Sequence, residues 1–435
     1  MPIPVTMPYG PKMVDAILPH GNLLGTLEVP AVGVCASPGA LLAGALENPS
    51  GMQGHGLDGF LPGDRVVIVV SDIFRRTGME ILLPALLEGL GRRGVSPEDI
   101  HFLVATGVHR PSTSGEICQI LGAEVHARHA CRVTVHNAYD RESLSFLGRT
   151  SRGTPVWINR MVLPPAKVIL TGTVVLHYFA GFGGGRKSLV PGVAGEETIS
   201  ANHSLNLDPV HERLNPAVRI GVTAGNPVAE DMHEAAAMVP VALVVNTVLA
   251  PDGGVAGVFA GDRDAAHSDA CAAAAGMYVR EIGCQADLVV ASSGGARNFI
   301  QSHKALFNAW QALRPGGVMV FLAPASEGLG TERFREWLSL GSPGEVMRAL
   351  RTRAEINGQT ALSTLGKAPS AVMVTEMTEQ DTAATGAEKA PGFQEAVDRA
   401  FVRLRASGID SPSVLLMPHA SHTVPELRGV AAKNL

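Results

Sequence analysis

Short apolar, β-branched runs, separated by segments of helical periodicity, constrain this chain more than any other feature of its sequence. In the first half the runs are DRVVIVVSD (64–72), IHFLVATG (100–107), RVTVHNA (132–138) and KVILTGTVV (167–175). Between the first two lies GMEILLPALLEGLGRRG, helical in period and closed by a glycine after Arg93. Strands that alternate with helices predict a parallel sheet, because parallel neighbours need a long crossover connection. A second set follows: ADLVVASSG (286–294), GVMVFLA (317–323), AVMVT (371–375) and SVLLMP (413–418). Segments 144–158 and 241–262 read as hairpins, the latter turning on Pro-Asp-Gly-Gly. An Asp/Ala-rich helix at about 262–278 separates the two sets. The 376–391 stretch, rich in Ala, Thr and Glu, reads as a solvated loop or helix.

The expected fold class is therefore α/β, with two α/β domains of mostly parallel sheets and an active-site cleft between them. Residues 1–280 form the N-terminal α/β domain, and 281–418 a Rossmann-like C-terminal one. The tail 419–435 is left free to return to the N-terminal domain. A chain of 435 residues suits two or three domains on length alone.

Composition narrows the function classes. With 46% hydrophobic and 17% charged residues the chain can bury large cores. A net charge of −5, without a local Lys/Arg cluster, offers no electrostatic footprint for nucleic acid. No apolar stretch is long enough to span a membrane, and the first residues lack a basic region followed by an apolar core. Five cysteines (35, 118, 131, 271 and 284) form no C-x-x-C pair, which suits a reducing compartment. The expectation is a cytoplasmic protein with no membrane or nucleic-acid partner.

In open α/β sheets ligands bind beyond the carboxyl ends of the strands. Asp72 and Arg75 follow the first run, His109 and Arg110 the second, and His177 the strand at 167–175. Gln301 and Lys304 begin the helix after the first strand of the second set. Alone, each has a plain structural explanation: a surface ion pair, a solvated lysine, a hydrogen-bonded histidine. Together they mark a site.

The stretch HYFAGFGGGRKSLVPG (177–192) decides which kind. It is not a phosphate-binding P-loop, G-x-x-x-x-G-K-[ST], because Arg186 stands where the second glycine must be. Pro191-Gly192 also discourages the helix that such a loop must open. What remains is a lysine flanked by two histidines, His177-x9-Lys187-x15-His203. Histidine serves as acid/base or metal ligand, and a desolvated lysine as a covalent anchor.

On these residues the chain resembles the nickel-pincer-dependent lactate racemase family over essentially its full length. The matching stretches are MPYG and LPHGNLLGTLEVP near the start, SDIFR (71–75), ATGVHRP (105–111), HYFAGFGGGRK (177–187), ANHSLN (201–206) and QSHK (301–304). The resemblance implies a racemase or epimerase of a 2-hydroxy acid. It also implies a nickel-pincer nucleotide: pyridinium-3-thioamide-5-thiocarboxylate mononucleotide carrying Ni(II), loaded with the help of the enzymes that build it. By the same resemblance Lys187 binds one arm covalently and His203 ligates nickel. His109 and His177 are then the acid/base pair. Asp72, Ile73, Phe74 and Arg75 contact the cofactor, with Gly183, Gly184 and Gly185 against its ring and phosphate. Arg75, Gln301 and Lys304 hold the substrate carboxylate.

Two departures bear on the substrate. Ile300 replaces the family's tyrosine, and NGQTALSTLGKA (357–368) has no tryptophan. They predict a substrate larger than lactate, with Arg110 and Arg186 at hand for a second charge. The competing readings are a non-catalytic two-domain binder of carboxylates or nucleotides, which needs neither His109 nor His177, and a zinc hydrolase. The latter lacks a compact ligand spacing and leaves Lys187 without a role.

Overall fold

The computed structural model describes residues 2–30, 37–211 and 213–428. The chain divides into two compact units, one of Ala31–Asn206 with Asn215–Gly276, the other of Met1–Pro30, Leu207–Leu214 and Met277–Leu435.

The first of these is built on a six-stranded sheet in the order Val255–Gly261, Val241–Leu249, Lys167–Thr173, Val66–Ser71, Ile100–Ala105, Val133–Val135. All neighbours are parallel except the hairpin Val241–Leu249/Val255–Gly261 at one edge. The central strand explains why its sequence is an unbroken apolar run. Val66, Ile68 and Val70 pack on one face with Leu82, Leu86 and Leu90 of helix Met79–Arg92. Val67 and Val69 face the opposite layer, with Val156, Ile158 and Leu170. A strand covered on both faces needs apolar residues at every position rather than at alternate ones. The predicted hairpin near 144–158 is Leu144–Arg149 paired with Pro155–Asn159.

The sheet carries a topological switch. From Val66–Ser71 the chain crosses to Ile100–Ala105 on one side, while Lys167–Thr173 and then Val241–Leu249 extend the sheet on the other. The loops leaving Ser71 and Thr173 therefore start from the carboxyl ends of adjacent strands and diverge, opening a crevice there.

The other unit has its own six-stranded sheet, all parallel, in the order Glu388–Ala390, Ala371–Val374, Leu313–Leu322, Ala286–Ser292, Ser413–Met417, Asn22–Thr26. Two features differ from the sequence reading. Residues 2–30 were expected with the N-terminal domain, yet Asn22–Thr26 pairs with Ser413–Met417. The preceding hairpin, Ile3–Tyr9 with Lys12–Leu18, also buries Val5, Met7, Ala16 and Leu18 in a core with Leu288, Val320 and Phe401. At the other end, Val424–Leu427 pairs with Val279–Ile282 inside this same unit and not with the N-terminal sheet. Residues 429–435 and Cys35 lie outside the described residues. The stretch 376–391, expected as a solvated loop or helix, forms helix Glu379–Ala384 and the edge strand Glu388–Ala390, with Thr382 and Ala390 buried.

Candidate active site

Three loops at the carboxyl edge of the first sheet carry the predicted residues. The loop after Val66–Ser71 begins with Asp72, whose side chain is only 2% exposed. Its partner is not Arg75 but His109, on the loop after Ile100–Ala105, with Nδ1 2.7 Å from Oδ2 of Asp72. An ionised carboxylate only accepts, so Nδ1–H donates and Nε2 keeps its lone pair. Phe74 stands edge-on to the His109 ring with centroids 5.2 Å apart. Ile73 packs against the apolar core beneath, and Arg75 is exposed.

Arg110 does not fill the role foreseen for it. Its guanidinium takes both oxygens of Glu116, at 2.8 and 2.5 Å, and Glu116 also closes the capping box of helix Ser114–Leu121 with Thr113. That bidentate pair holds the Glu116 carboxyl down at about 2.

The glycine-rich loop leaves the neighbouring strand Lys167–Thr173 and forms a short 3-10 turn, Gly185–Ser188. No helix begins until Glu196, as the proline predicts. The fold itself requires these glycines. At Gly181 (φ +71°) an added Cβ would meet the Val222 carbonyl oxygen at 2.2 Å. At Gly185 (φ +49°) it would meet the His267 ring at 2.5 Å. Gly184, also at positive φ, would strike Val174 at 2.6 Å, whereas Gly183 has ordinary contacts from 3.4 Å.

His267 organises this loop, and sequence reasoning gave it no role. From helix Ala265–Tyr278 its Nε2–H donates to the Gly183 carbonyl at 2.9 Å, and its Nδ1 accepts from Arg186 at 3.2 Å. Burial and the adjacent Arg186 push its pKa down to about 4, so it stays neutral and keeps that acceptor. Arg186 is itself buried, with Nε unpartnered, and belongs to the loop's foundation rather than to a second anionic subsite. His267→Ala leaves the Gly183 carbonyl and Arg186 without this partner. A loss of about 1–3 kcal/mol is expected in denaturant unfolding. A change within about 0.5 kcal/mol, ordinary for a surface site, would refute this role.

Lys187 and His203 complete the arrangement. Burial, together with the Arg75 and Arg186 guanidiniums, holds the Lys187 amine well below its ordinary value. A lysine so placed gives up its proton more readily than an exposed one, and the free amine is the nucleophilic form. His203 is 3% exposed, on helix Glu196–Ser204. Its Nδ1–H donates to the Ile199 carbonyl one turn back, at 2.8 Å, which puts the lone pair of the neutral ring on Nε2. Burial and nearby Lys187 push its pKa down to about 4, so the imidazole is neutral, as a metal ligand must be. The helix is pinned by buried Asp231, which accepts from Asn202, Thr150 and Thr154. His177 sits at the mouth of the glycine loop and accepts the backbone N–H groups of Phe179 and Ala180 at Nδ1.

Among the described residues no group of three or more His, Cys, Asp or Glu side chains could hold a metal ion. His203 and Lys187 are the residues that would hold a nickel-pincer group, the imidazole as a ligand and the amine as a tether.

The other predicted residues lie in the second unit. Gln301 and Lys304 stand in the first turns of helix Phe299–Gln311, after the strand Ala286–Ser292, as expected. Asn298 caps this helix by accepting from the Gln301 N–H. Gln301 is exposed and turns its own Oε1 back to Arg297 N–H at 3.1 Å. The tryptophan-free segment is a buried helix, Ile356–Lys367. A Cβ at Gly358 would meet the Trp337 indole at 2.7 Å, so another aromatic already occupies the space beside that glycine.

Residues 9–214 match the model of the lactate racemase N-terminal domain. The lactate racemase of Thermoanaerobacterium thermosaccharolyticum is 31% identical over 360 residues, 80% of this chain and 81% of that protein. The one of Lactiplantibacillus plantarum is 32% identical over 344 residues, 76% of this chain and 77% of that protein. The lactate racemase apoprotein structure from T. thermosaccharolyticum superposes with a TM-score of 0.85 at 25% identity, covering 98% of this chain and all of that one (100%). A structure from Thermotoga maritima shares the fold at a TM-score of 0.62 and 17% identity, covering 86% of this chain and 96% of that one. With relatives above 30% identity that cover more than three quarters of it, the chain belongs to the lactate racemase family of isomerases.

Proposed function

We propose that this enzyme racemises a 2-hydroxy acid with a covalently held nickel-pincer nucleotide, using His109 and His177 around the substrate hydroxyl. The observation that carries the reading is Lys187 in the glycine-rich loop, whose amine burial and two nearby guanidiniums hold well below its ordinary pKa, close to His203. A binder of carboxylates gains nothing from a lysine driven toward its uncharged form, whereas an anchor for a thioamide reacts through that form. When bound, the cofactor supplies a hydride acceptor and donor for the α-carbon.

The chain's own residues do the rest. Lys187 tethers the group and His203 ligates the nickel through Nε2, with loading by the enzymes that build the cofactor. Asp72 through Arg75 line the cofactor and keep His109 oriented. Arg75, Gln301 and Lys304 take the substrate carboxylate. The two histidines meet the hydroxyl oxygen, where neutral imidazole exchanges protons readily near neutral pH.

The substrate reading narrows. Arg110 is committed to Glu116 and Arg186 to His267, so neither favours a dicarboxylate. What supports a substrate larger than lactate is Ile300 in place of tyrosine. On loaded enzyme, a panel of 2-hydroxy acids ranked by kcat/KM is expected to place a larger monocarboxylate above lactate. One lost methylene contact is worth only about 1–3 kcal/mol, so lactate turns over more slowly rather than not at all. Lactate in first place would overturn the size reading. No racemisation of any 2-hydroxy acid would overturn the function.

A further inference from the structure

We propose that His422 contacts the substrate and hydrogen-bonds a hydroxyl on the carbon next to the reacting one. The preferred substrate is then a 2,3-dihydroxy monocarboxylate rather than an acid with an apolar tail. This rests on the reading above that Lys304 holds the substrate carboxylate, and it names the chemistry at the other end of the molecule.

The second sheet has a topological switch of its own. From Ala286–Ser292 the chain crosses to Leu313–Leu322 and on to Ala371–Val374, while Ser413–Met417 pairs on the opposite side. Loops that leave such a pair of strands diverge, and a ligand crevice opens between them. The loop after Ala286–Ser292 leads into helix Phe299–Gln311, with Gln301 and Lys304. The loop after Ser413–Met417 carries His419 and His422, in the same compact unit.

Hydrogen bonds hold this histidine loop along the helix face that bears Lys304. Gln301, Lys304 and Asn308 stand at i, i+3 and i+7, and so share one side of the helix. Buried Asn308 donates from Nδ2 to the Ala420 carbonyl at 2.8 Å. Ala420 N–H donates to the Ser292 carbonyl at 3.1 Å, and the Ser421 hydroxyl to the Ser293 carbonyl at 3.3 Å, which ties the loop to the neighbouring strand. The His419 carbonyl accepts three bonds: from His422 N–H at 3.0 Å, Thr423 N–H at 3.2 Å and the Thr423 hydroxyl at 3.1 Å. The backbone at His422 is thereby set in advance of any ligand.

The His422 side chain is exposed, although the protein around it removes part of its solvation. Its ring lies 6.3 Å from that of Tyr278, centroid to centroid. Desolvation, then Lys304 and His419, push its pKa down to about 4. The imidazole is therefore neutral near neutral pH and offers one donor and one acceptor. A hydroxyl can pair with either. A second carboxylate would call for a further cation, and Arg297, at the head of the same helix, is taken by Glu327 at 2.5 Å. An apolar tail would displace water from the ring without replacing its hydrogen bonds.

Glycerate and 2-hydroxybutyrate separate these cases, because they differ only by a terminal hydroxyl in place of a methyl. Calorimetric titration of cofactor-loaded enzyme with the racemic acids reads binding at equilibrium, since turnover of a racemate makes no net change. Glycerate should bind about tenfold more tightly, the worth of one hydrogen bond to a neutral partner. His422→Leu should erase that preference by weakening glycerate, with 2-hydroxybutyrate held within about threefold, as for a site it does not touch. His422→Gln, whose amide both donates and accepts, should keep the preference. Equal affinities in the parent, equal weakening of both acids in His422→Leu, or malate bound more tightly than glycerate would each overturn the proposal. Lys304→Ala probes the parent reading by itself and should weaken both acids alike. Undiminished binding of both would sink the carboxylate role of Lys304, while the glycerate preference would still report on His422.

Discussion

Protein produced together with the cofactor's biosynthetic enzymes is expected to carry a covalent mass increment, and Lys187→Ala to carry none of it. The amine is the only lysine nitrogen in the glycine-rich loop, and burial with Arg75 and Arg186 holds it well below its ordinary pKa. An amine that is protonated has no lone pair to give, so this environment is what makes the attachment feasible at neutral pH. Denaturing intact-mass measurement reads the increment directly, and racemisation should vanish with it. His203→Ala separates tether from ligand: it should keep the adduct and lose nickel by metal analysis, because the bond at Lys187 does not depend on the imidazole. An adduct that survives Lys187→Ala would move the anchor elsewhere.

The second large effect is expected at the Asp72–His109 pair. His109→Ala should lower kcat/KM by about 10²–10⁴-fold, the usual loss when a general base is removed. Asp72→Asn should come close to it while leaving the fold intact, since the two residues meet at one contact in a loop. An asparagine amide can donate to Nδ1 and so stabilise the wrong tautomer, with Nε2 protonated and useless as a base. Circular dichroism and unfolding midpoints should match those of the parent. An Asp72→Asn enzyme within tenfold of the parent would show that the carboxylate does not set the His109 tautomer.

Much of this was legible in the chain itself because the signals are local. Each central strand is an unbroken apolar run, as double-sided burial demands, and the hairpin at Pro251-Asp-Gly-Gly carries its own turn chemistry. The residues at the ends of those strands could be placed near one another by topology alone. His177, Lys187 and His203 stand out in the chain by type and spacing, and His109 by its place after a strand.

What local pattern could not carry was the choice of partner. The strands Ile3–Tyr9 and Lys12–Leu18 pair only with each other, and it is the packing of Val5, Met7 and Leu18 against Leu288 and Phe401 that assigns them to the C-terminal unit. Arg110 and Arg186 look like free cations in a row of letters. Glu116, six residues away, and His267, eighty-one residues away, commit them elsewhere. His267 lay hidden in an Asp/Ala-rich helix because nothing in its own neighbourhood needs a histidine; the carbonyl it serves belongs to Gly183. The sequence by itself determined which residue types stand at the strand ends, since burial and turn geometry act over a few residues. Only the tertiary structure decided which nitrogen of His109 and of His267 holds its proton, because the Asp72 carboxylate and the Gly183 carbonyl are brought to those rings from distant loops.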